Sequence, residues 1–278
     1  MTRPSGRILM LFDNMNRDYV SRLHSGASRE ADAVGLQLQI ENIHATDSKA
    51  ESFVDDPVIA GVILTAPLCD DRHVMLQIEK RDLPFARIAS MLDPGRGITV
   101  AMDEYDAARS VTALLLEAGH RRVGIIRGPR SHLSSMRRYN GFTAALGSKG
   151  VKLVPSLVAE GDYTRKGGEE AGARLLAAKP TAIFASNDAM AAGLADAARK
   201  ASLSVPRDVS IVGFDDDPIA KSMHPPLTSV RQPLEDMGAA ACKLLAGRMV
   251  GRGSGKAHTD VPFELVERAS IAPPGAAG

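Results

Sequence analysis

The chain has 278 residues, 44% hydrophobic and 24% charged, which is ordinary for a folded globular protein. Its 34 Lys and Arg nearly balance 33 Asp and Glu, so the net charge of +1 gives no argument for a nucleic-acid or membrane surface. No apolar run approaches the length of a membrane span, and none of signal-peptide length precedes Asp13. The composition therefore predicts a cytoplasmic protein with no membrane partner.

Short apolar runs alternate with helical stretches along the whole chain. Strands are predicted at residues 7–12, 36–40, 61–65, 85–89, 98–102, 122–127, 156–160, 182–186 and 210–214, with a last strand-like stretch in 262–270. Helices are predicted at residues 17–35, weakly at 72–81, at 103–119, 134–148, 164–178 and 188–201, and from Pro233 at the first helical position to about residue 248. Asp103 is predicted to cap the third of these helices and Gly119 to end it.

The predicted strands are continuous apolar runs, which indicates burial on both faces. With helices between them, they predict an α/β fold of parallel sheets joined by right-handed crossovers. About nine strands in two series predict two doubly wound domains, with a break near residues 93–104. The late strand needs a sheet to join, so the chain is expected to cross between the domains more than once. Residues 247–259 and 272–278 are predicted to be loop and tail.

In an open parallel sheet, ligands bind beyond the carboxyl ends of the strands. Polar residues that directly follow predicted strands are therefore the candidates for a site. They are Asp13, Asn14, Thr65, Arg127, Asn187 and the three aspartates Asp215, Asp216 and Asp217.

The sequence lacks the motifs typical of phosphate binding, dinucleotide binding, serine hydrolysis and metal binding. The run "GRGSGK" lacks the spacing of a phosphate loop, no Gly-x-Gly-x-x-Gly follows a strand, and no Gly-x-Ser-x-Gly is present. The seven histidines have no metal-ligand spacing. We therefore expect no cofactor and no metal, and we interpret His120 as a structural hydrogen-bonding residue. Cys69 and Cys242 stand apart in apolar contexts and are expected to be buried free thiols.

Five ordered motifs resemble the lactose/galactose-repressor (LacI/GalR) family of bacterial transcription regulators. They are "AGHRRVGIIRGP", "RRYNGFTAAL", "PTAIFASNDAMAAGLADAARK", "VPRDVSIVGFDDDPIA" and "PPLTSVRQPLEDMGAAACKLL". The resemblance runs from about Arg7 to Pro273 and concerns the effector-binding core of the family, which is similar to periplasmic sugar-binding proteins.

The resemblance implies a type I periplasmic-binding-protein-like fold of two Rossmann-like subdomains with three interdomain crossovers. The implied N-terminal subdomain comprises residues 6–101 and 234–261, the C-terminal subdomain residues 102–232 and 263–272, and residues 273–278 a tail. Family members normally begin with a helix-turn-helix and a hinge helix, whereas here a strand begins at residue 7. We therefore expect contact with operator DNA only through a DNA-binding domain that is absent from this chain. The chain would then be either a shortened form of a longer regulator or a family member that naturally has no DNA-binding domain.

The resemblance also implies a set of ligand-binding residues in the interdomain cleft. Arg138 matches the arginine that grips hydroxyls or a carboxylate, and a surface salt bridge is its alternative. Asp215 matches the aspartate that accepts from ligand hydroxyls or amines. An acid/base pair of Asp215 with another carboxylate stays open, because no partner is identifiable. Asp216 and Asp217 are predicted to cap the turn that follows.

The resemblance implies five further ligand-binding positions. Tyr163 matches an aromatic that packs against a sugar or a base, with an exposed loop tyrosine as the alternative. Asn187 matches a strand-end asparagine, and Asp188 beside it is predicted to cap the helix. Tyr19 matches a first-helix aromatic, although core packing would explain it equally well. Gln232 at a crossover and Asp13 after the first strand complete the set.

The sequence thus predicts an allosteric sensor, not an enzyme: a homodimeric core that controls operator binding in the full-length protein. The expected effector is a mono- or disaccharide, with a nucleobase as second choice, and the helix at 17–35 and residues 233–248 are the expected dimer surfaces. Two other functions remain open from the residues alone, a solute-binding protein for sugar transport and an enzyme of sugar metabolism.

Overall fold

A computed structural model describes residues 6–14, 16–43, 50–90, 92–93, 95–251 and 258–275 of the chain. The backbone divides into two compact units. The first consists of Met1–Met102 and Pro233–Pro262, and the second of Asp103–Gln232 and Phe263–Gly278. The chain therefore passes from one unit to the other at three points.

The elements of the first unit follow the alternation of strands and helices in the sequence. Its strands are β1 (Arg7–Phe12), β2 (Gln37–Asn42), β3 (Ile59–Leu64), β4 (Phe85–Ile88) and β5 (Ile98–Ala101), and a late strand, β11 (His258–Asp260), joins them. Its helices are α1 (Arg17–Val34), α2 (Ala50–Val54), α3 (Arg72–Lys80) and α9 (Leu234–Met249), with a 3-10 turn at Leu68–Asp70. The sheet order is β11-β5-β4-β3-β1-β2, and the paired strands are parallel.

Two glycines bring α1 and α9 of the first unit into close contact. A Cβ atom at Gly26 would lie 1.8 Å from the Glu235 carbonyl oxygen, and one at Gly238 would lie 2.1 Å from the Leu23 carbonyl oxygen. Any larger residue at either position would force the two helix backbones apart. The two segments that we expect to be dimer surfaces thus pack against each other within the first unit.

The second unit repeats the same plan. Its strands are β6 (Val123–Arg127), β7 (Val158–Glu160), β8 (Ala182–Ala185), β9 (Ser210–Asp215), β10 (Thr228–Arg231) and β12 (Glu264–Val266). Its helices are α4 (Glu104–Glu117), α5 (Leu133–Ser148), α6 (Arg165–Ala177), α7 (Asp188–Lys200) and α8 (Pro218–Ser222), with a 3-10 turn at Pro155–Leu157. The sheet order is β12-β10-β9-β8-β6-β7, with β12 alone antiparallel to its neighbour among the described strands.

Most predicted elements are present, since apolar runs buried on both faces and capped helices leave clear patterns. Asp103 accepts hydrogen bonds from the backbone N–H groups of Tyr105 and Asp106 and so caps α4, and Gly119 beyond its end has φ of +99°. The prediction of α/β architecture with parallel sheets is confirmed.

Some predictions were wrong in detail. The described residues form twelve strands. Ten match the nine predicted strands and the late strand-like stretch, whereas β10 and β11 were missed because four and three residues are too few to leave a pattern. Residues 247–259 were predicted to be loop, but α9 continues to Met249 and β11 begins at His258; residues 252–257 lie outside the described residues. Pro233 precedes the first helical residue of α9 instead of occupying it.

Candidate functional site

The carboxyl ends of the strands in the second unit bring charged and polar side chains together. Asp215 is the last residue of β9 and is buried, with a φ of +115° that non-glycine residues rarely adopt. Because β10 pairs with β9 in parallel, with Arg231 opposite Asp215, the residue after β10 lies beside the same strand end. That residue is Gln232, whose Nε2 donates a 2.6 Å hydrogen bond to Asp215 Oδ1.

Arg138 reaches this cluster from α5 and is only 5% exposed. Its Nη1 donates to the Ser186 carbonyl oxygen at 2.6 Å and lies 3.7 Å from Asp215 Oδ1. Its guanidinium carbon lies 3.7 Å from the centroid of the Phe214 ring, a cation–π contact. The alternative of a surface salt bridge for Arg138 is therefore wrong, whereas neighbouring Arg137 makes such a pair with Asp103 at 3.3 Å.

Glu104 completes the cluster and was missed by the sequence analysis. It is the first residue of α4, only 3% exposed, and its Oε1 accepts a 3.1 Å hydrogen bond from Arg138 Nη2. A glutamate at the start of a helix is usually solvated and favoured there by the helix dipole. No local signal marks this one as buried, because its partner lies 34 residues further along the chain.

The cluster shifts the protonation of its members. Burial raises the pKa of Asp215 to about 7, against the effect of Arg138, which lowers it. Burial also lowers the pKa of Arg138, but the carboxylates of Glu104 and Asp215 outweigh this and hold it above its usual value. The guanidinium is thus permanently charged, while Asp215 can exchange a proton near neutral pH.

Three buried polar atoms around the guanidinium have no hydrogen-bond partner among the described residues: Glu104 Oε2, Arg138 Nε and Ser186 Oγ. Buried polar atoms without partners are uncommon in folded proteins and destabilise them. Their concentration around one side chain is typical of a binding site, where a ligand supplies the missing partners.

Asn187 has a structural role at this edge of the sheet. Its Oδ1 accepts from the backbone N–H of Met190 and so caps α7, and its Nδ2 donates to the Tyr163 carbonyl oxygen at 3.0 Å. The prediction that Asp188 caps this helix was wrong. Asp188 is fully buried and accepts hydrogen bonds from the Ser229 hydroxyl at 2.7 Å and the Asp217 backbone N–H at 2.8 Å.

The Tyr163 hydroxyl is buried and is influenced electrostatically by Arg138, Glu104 and Asp215. Its backbone has a φ of +66°, and its ring lies 5.5 Å from that of His132. Burial raises the pKa of its hydroxyl, and Arg138 and Ser134 act in the opposite direction. Gly128 makes room for the ring, because a Cβ atom there would lie 2.2 Å from Tyr163 Cζ.

The aspartates after Asp215 are not the turn caps that we predicted. Asp216 is 5% exposed and forms ion pairs with Arg231 at 2.7 Å and Arg268 at 2.5 Å, which tie β9 to β10 and to the segment after β12. Asp217 precedes α8 without a side-chain capping hydrogen bond and is itself buried. The capping prediction failed because the partners of Asp216 lie 15 and 52 residues away.

The remaining candidates are divided between the two units. Asp13 follows β1 and is half-buried, and Tyr19 on α1 is 7% exposed; both belong to the first unit. Thr65 is buried with its hydroxyl 3.4 Å from the Leu11 carbonyl oxygen, and the Arg127 guanidinium lies 4.8 Å from the Tyr139 ring centroid. Thr65 thus also belongs to the first unit, and Arg127 to the second.

Two structural predictions are confirmed. His120 is buried with its ring nitrogens 3.0 Å from the Thr181 hydroxyl and 3.1 Å from the Ser210 hydroxyl, and burial lowers its pKa. Cys69 and Cys242 are both buried, and neither forms a disulfide bond within the described part of the chain.

Among the described residues, no three His, Cys, Asp or Glu side chains are grouped to hold a metal ion. No helix in the same part of the chain is long and apolar enough to span a membrane.

Comparison with known proteins identifies the class to which this arrangement belongs. Residues 112–271 match the periplasmic binding protein-like domain family. The chain is 35% identical to the HTH-type transcriptional repressor CytR of Escherichia coli K12 over 96% of its own length and 79% of that protein. It is 31% identical to the transcriptional regulator MalR of Streptomyces coelicolor over 82% of its own length and 69% of that protein.

Solved structures agree with these relatives. The transcriptional regulator CelR in complex with cellobiose superposes with a TM-score of 0.88 and 26% identity, covering 96% of this chain and 86% of that one. A LacI-family regulator from Mycobacterium smegmatis superposes with a TM-score of 0.84 and 26% identity, covering 96% and 99%. The relatives are transcriptional regulators, neither transport proteins nor enzymes. The chain therefore belongs to the LacI family of transcriptional regulators and contains its periplasmic-binding-protein-like effector core.

Proposed function

We propose that this chain is the effector-binding and dimerisation core of a LacI-family regulator whose effector is a small neutral sugar. The observation that carries the proposal is the buried Arg138, held between Glu104 and Asp215 and surrounded by polar atoms without partners. We assign ligand contact to the seven residues named from the sequence: Asp13, Tyr19, Arg138, Tyr163, Asn187, Asp215 and Gln232.

The chemistry of the cluster favours hydroxyl groups. A ligand hydroxyl can donate a hydrogen bond to a carboxylate oxygen and accept one from a guanidinium or serine group. One cation faces two carboxylates here, so an anionic ligand would meet repulsion from Asp215 and Glu104. The related regulator CelR, with bound cellobiose, supports a mono- or disaccharide. A nucleobase is the second choice, since it also combines donors and acceptors and could pack against Tyr163.

The mechanism that we propose is a shift between two conformational states. A ligand that contacts the cluster more favourably in one state increases the population of that state. The cytoplasmic protein would act as a homodimer through the surface formed by α1 and α9. The DNA-binding segment of the complete regulator would then bind its operator with altered affinity.

A thermal-unfolding screen tests the proposal. The panel contains cellobiose, D-ribose and other neutral sugars, together with nucleobases and nucleosides. A ligand that binds only the folded protein raises the melting temperature with concentration. We expect a neutral sugar to do so in the wild-type chain and not in Arg138→Gln, and the exposed-site variant Asp208→Ala to respond as wild type does. Stabilisation by a nucleobase alone would overturn the assignment of a sugar, and equal stabilisation of Arg138→Gln would overturn the site.

A further inference from the structure

Glu104 is a buried carboxylate that the ligand assignments do not use. The first turn of α4 carries two acidic residues in contrasting settings. The Asp106 side chain is 40% exposed and pairs with Arg109, whereas Glu104 is 3% exposed and hydrogen-bonded to Arg138. Burying a carboxylate costs several kcal/mol unless partners compensate it. A favourable interaction with the helix dipole alone therefore does not explain why a carboxylate is buried at this position.

The contacts of Arg138 show what Glu104 does for the guanidinium. One terminal nitrogen is held by the Ser186 carbonyl oxygen, and the other is held by Glu104 Oε1. The face of the group lies on the Phe214 ring. Glu104 thus holds the second terminal nitrogen of the guanidinium and places a carboxylate oxygen 3.1 Å from it.

The charge balance of the cluster depends on this residue. Near pH 7, burial leaves Asp215 only partly ionised, because its pKa is raised to about 7. Asp215 alone would then compensate Arg138 incompletely, and the cluster would be cationic. With Glu104 present the sum is neutral to negative. Removing one carboxylate charge therefore reverses the sign of the cluster.

We propose that Glu104 is a positioning residue that sets the charge preference of the effector site: by neutralising Arg138 it makes the site accept neutral hydroxyl or amino groups and reject carboxylates and phosphates. The inference rests on the proposed function only in placing the effector beside Arg138. It makes no use of the identity of the sugar.

Sulfate is the probe, because it is a compact dianion and does not depend on knowing the effector. Binding is measured in Glu104→Gln, Glu104→Asp and wild-type protein by thermal unfolding at constant ionic strength, with side-chain NMR of Arg138. Glu104→Gln keeps the shape of the side chain and removes its charge. We expect it to bind sulfate at least about tenfold more tightly than wild type, as expected for losing one nearby opposing charge. Glu104→Asp, which keeps the charge, should resemble wild type.

Controls separate this role from a purely structural one. Asp106→Asn removes a carboxylate from the same helix turn and should not change sulfate binding, and Glu104→Gln combined with Arg138→Gln should lose the gained affinity. A Glu104→Gln protein with wild-type sulfate affinity would overturn the proposal. So would saturable sulfate binding at Arg138 in the wild-type protein, a measurement that needs no variant to fold. If no sugar binds in the unfolding screen, the sulfate measurements still test the role of Glu104, because they do not depend on the identity of the effector.

Discussion

Gln232 Nε2 lies 2.6 Å from Asp215 Oδ1, and this hydrogen bond joins the end of β9 to the point where the chain leaves the second unit. Gln232 is the last residue of its segment in that unit, and both side chains are buried. A ligand that bonds to Asp215 therefore acts one hydrogen bond away from a crossover. The proposed effector site and the backbone between the units are linked through these two residues.

Asp215 should make the stability of the protein depend on pH. Its pKa in the folded protein is raised to about 7 because it is buried, far above the value of an unfolded chain. The folded state then binds more protons between about pH 4 and pH 7, so the free energy of unfolding falls as pH rises through this window. Asp215→Asn should weaken this fall, so that the variant gains stability relative to wild type between pH 5 and pH 8. Urea unfolding of both proteins at pH 5 and at pH 8 measures the difference in their free energies of unfolding.

Asp196 supplies the control with opposite sign. Its hydrogen bond with Arg165 lowers the pKa of its carboxyl, so its stabilising contribution is present at neutral pH and fades in acid. Asp196→Asn should thus lose stability at pH 7 and less of it near pH 3. If Asp215→Asn and wild type keep a constant difference from pH 5 to pH 8, Asp215 does not hold a proton as described.

Gly128 should be intolerant of substitution because Tyr163 occupies the space beside it. An alanine methyl group would lie 2.2 Å from Tyr163 Cζ and 2.4 Å from its hydroxyl oxygen. We expect Gly128→Ala to destabilise the protein by about 1–3 kcal/mol through overpacking and to weaken effector binding. Gly147→Ala is the matched control, since no atom lies within 4 Å of the added methyl group and α5 should gain up to about 1 kcal/mol. Equal stability of the two variants would contradict the contact.

Asn187 allows the capping role to be separated from ligand contact. Serine can still cap α7 but cannot donate to the Tyr163 carbonyl oxygen as Nδ2 does. Asn187→Ala should cost about 1 kcal/mol of stability, and Asn187→Ser much less. Both should weaken effector binding in calorimetric titration. Wild-type affinity in Asn187→Ser would show that the side chain is a cap alone.

Asp216 should contribute to the stability of the folded protein and not to the affinity for the effector. It is buried between Arg231 and Arg268, so Asp216→Asn leaves the mostly buried Arg268 without its carboxylate and Arg231 with Glu264 alone, which should cost about 3 kcal/mol. Asp208→Asn, at an exposed pair with Arg207, should cost much less, because solvent screens the pair. Chemical denaturation measures both. A loss of effector affinity in a folded Asp216→Asn protein, with stability unchanged, would reverse the roles given to the adjacent aspartates.

Strands and helices could be predicted from local sequence patterns. Side-chain environments that depend on partners distant in the sequence could not. The apolar run ending at Asp215 and the capped start of α4 were readable because burial on both faces and capping leave local signatures. Glu104 and Asp216 were misjudged since their environment depends on Arg138 and Arg268, far along the chain. The short elements β10, β11 and α8 have three to five residues and leave no periodicity to detect.

The most direct test of the account is calorimetric titration of the sugar identified by the unfolding screen. Wild-type protein, Asp215→Ala, Arg138→Gln and Asp208→Ala would be compared at one pH and salt concentration. We predict that Asp215→Ala and Arg138→Gln each weaken binding by about tenfold or more, because each leaves a buried hydrogen-bonding partner unsatisfied. Asp208→Ala should bind as wild type does. Unchanged dissociation constants in all four proteins would contradict the claim that this cluster holds the effector.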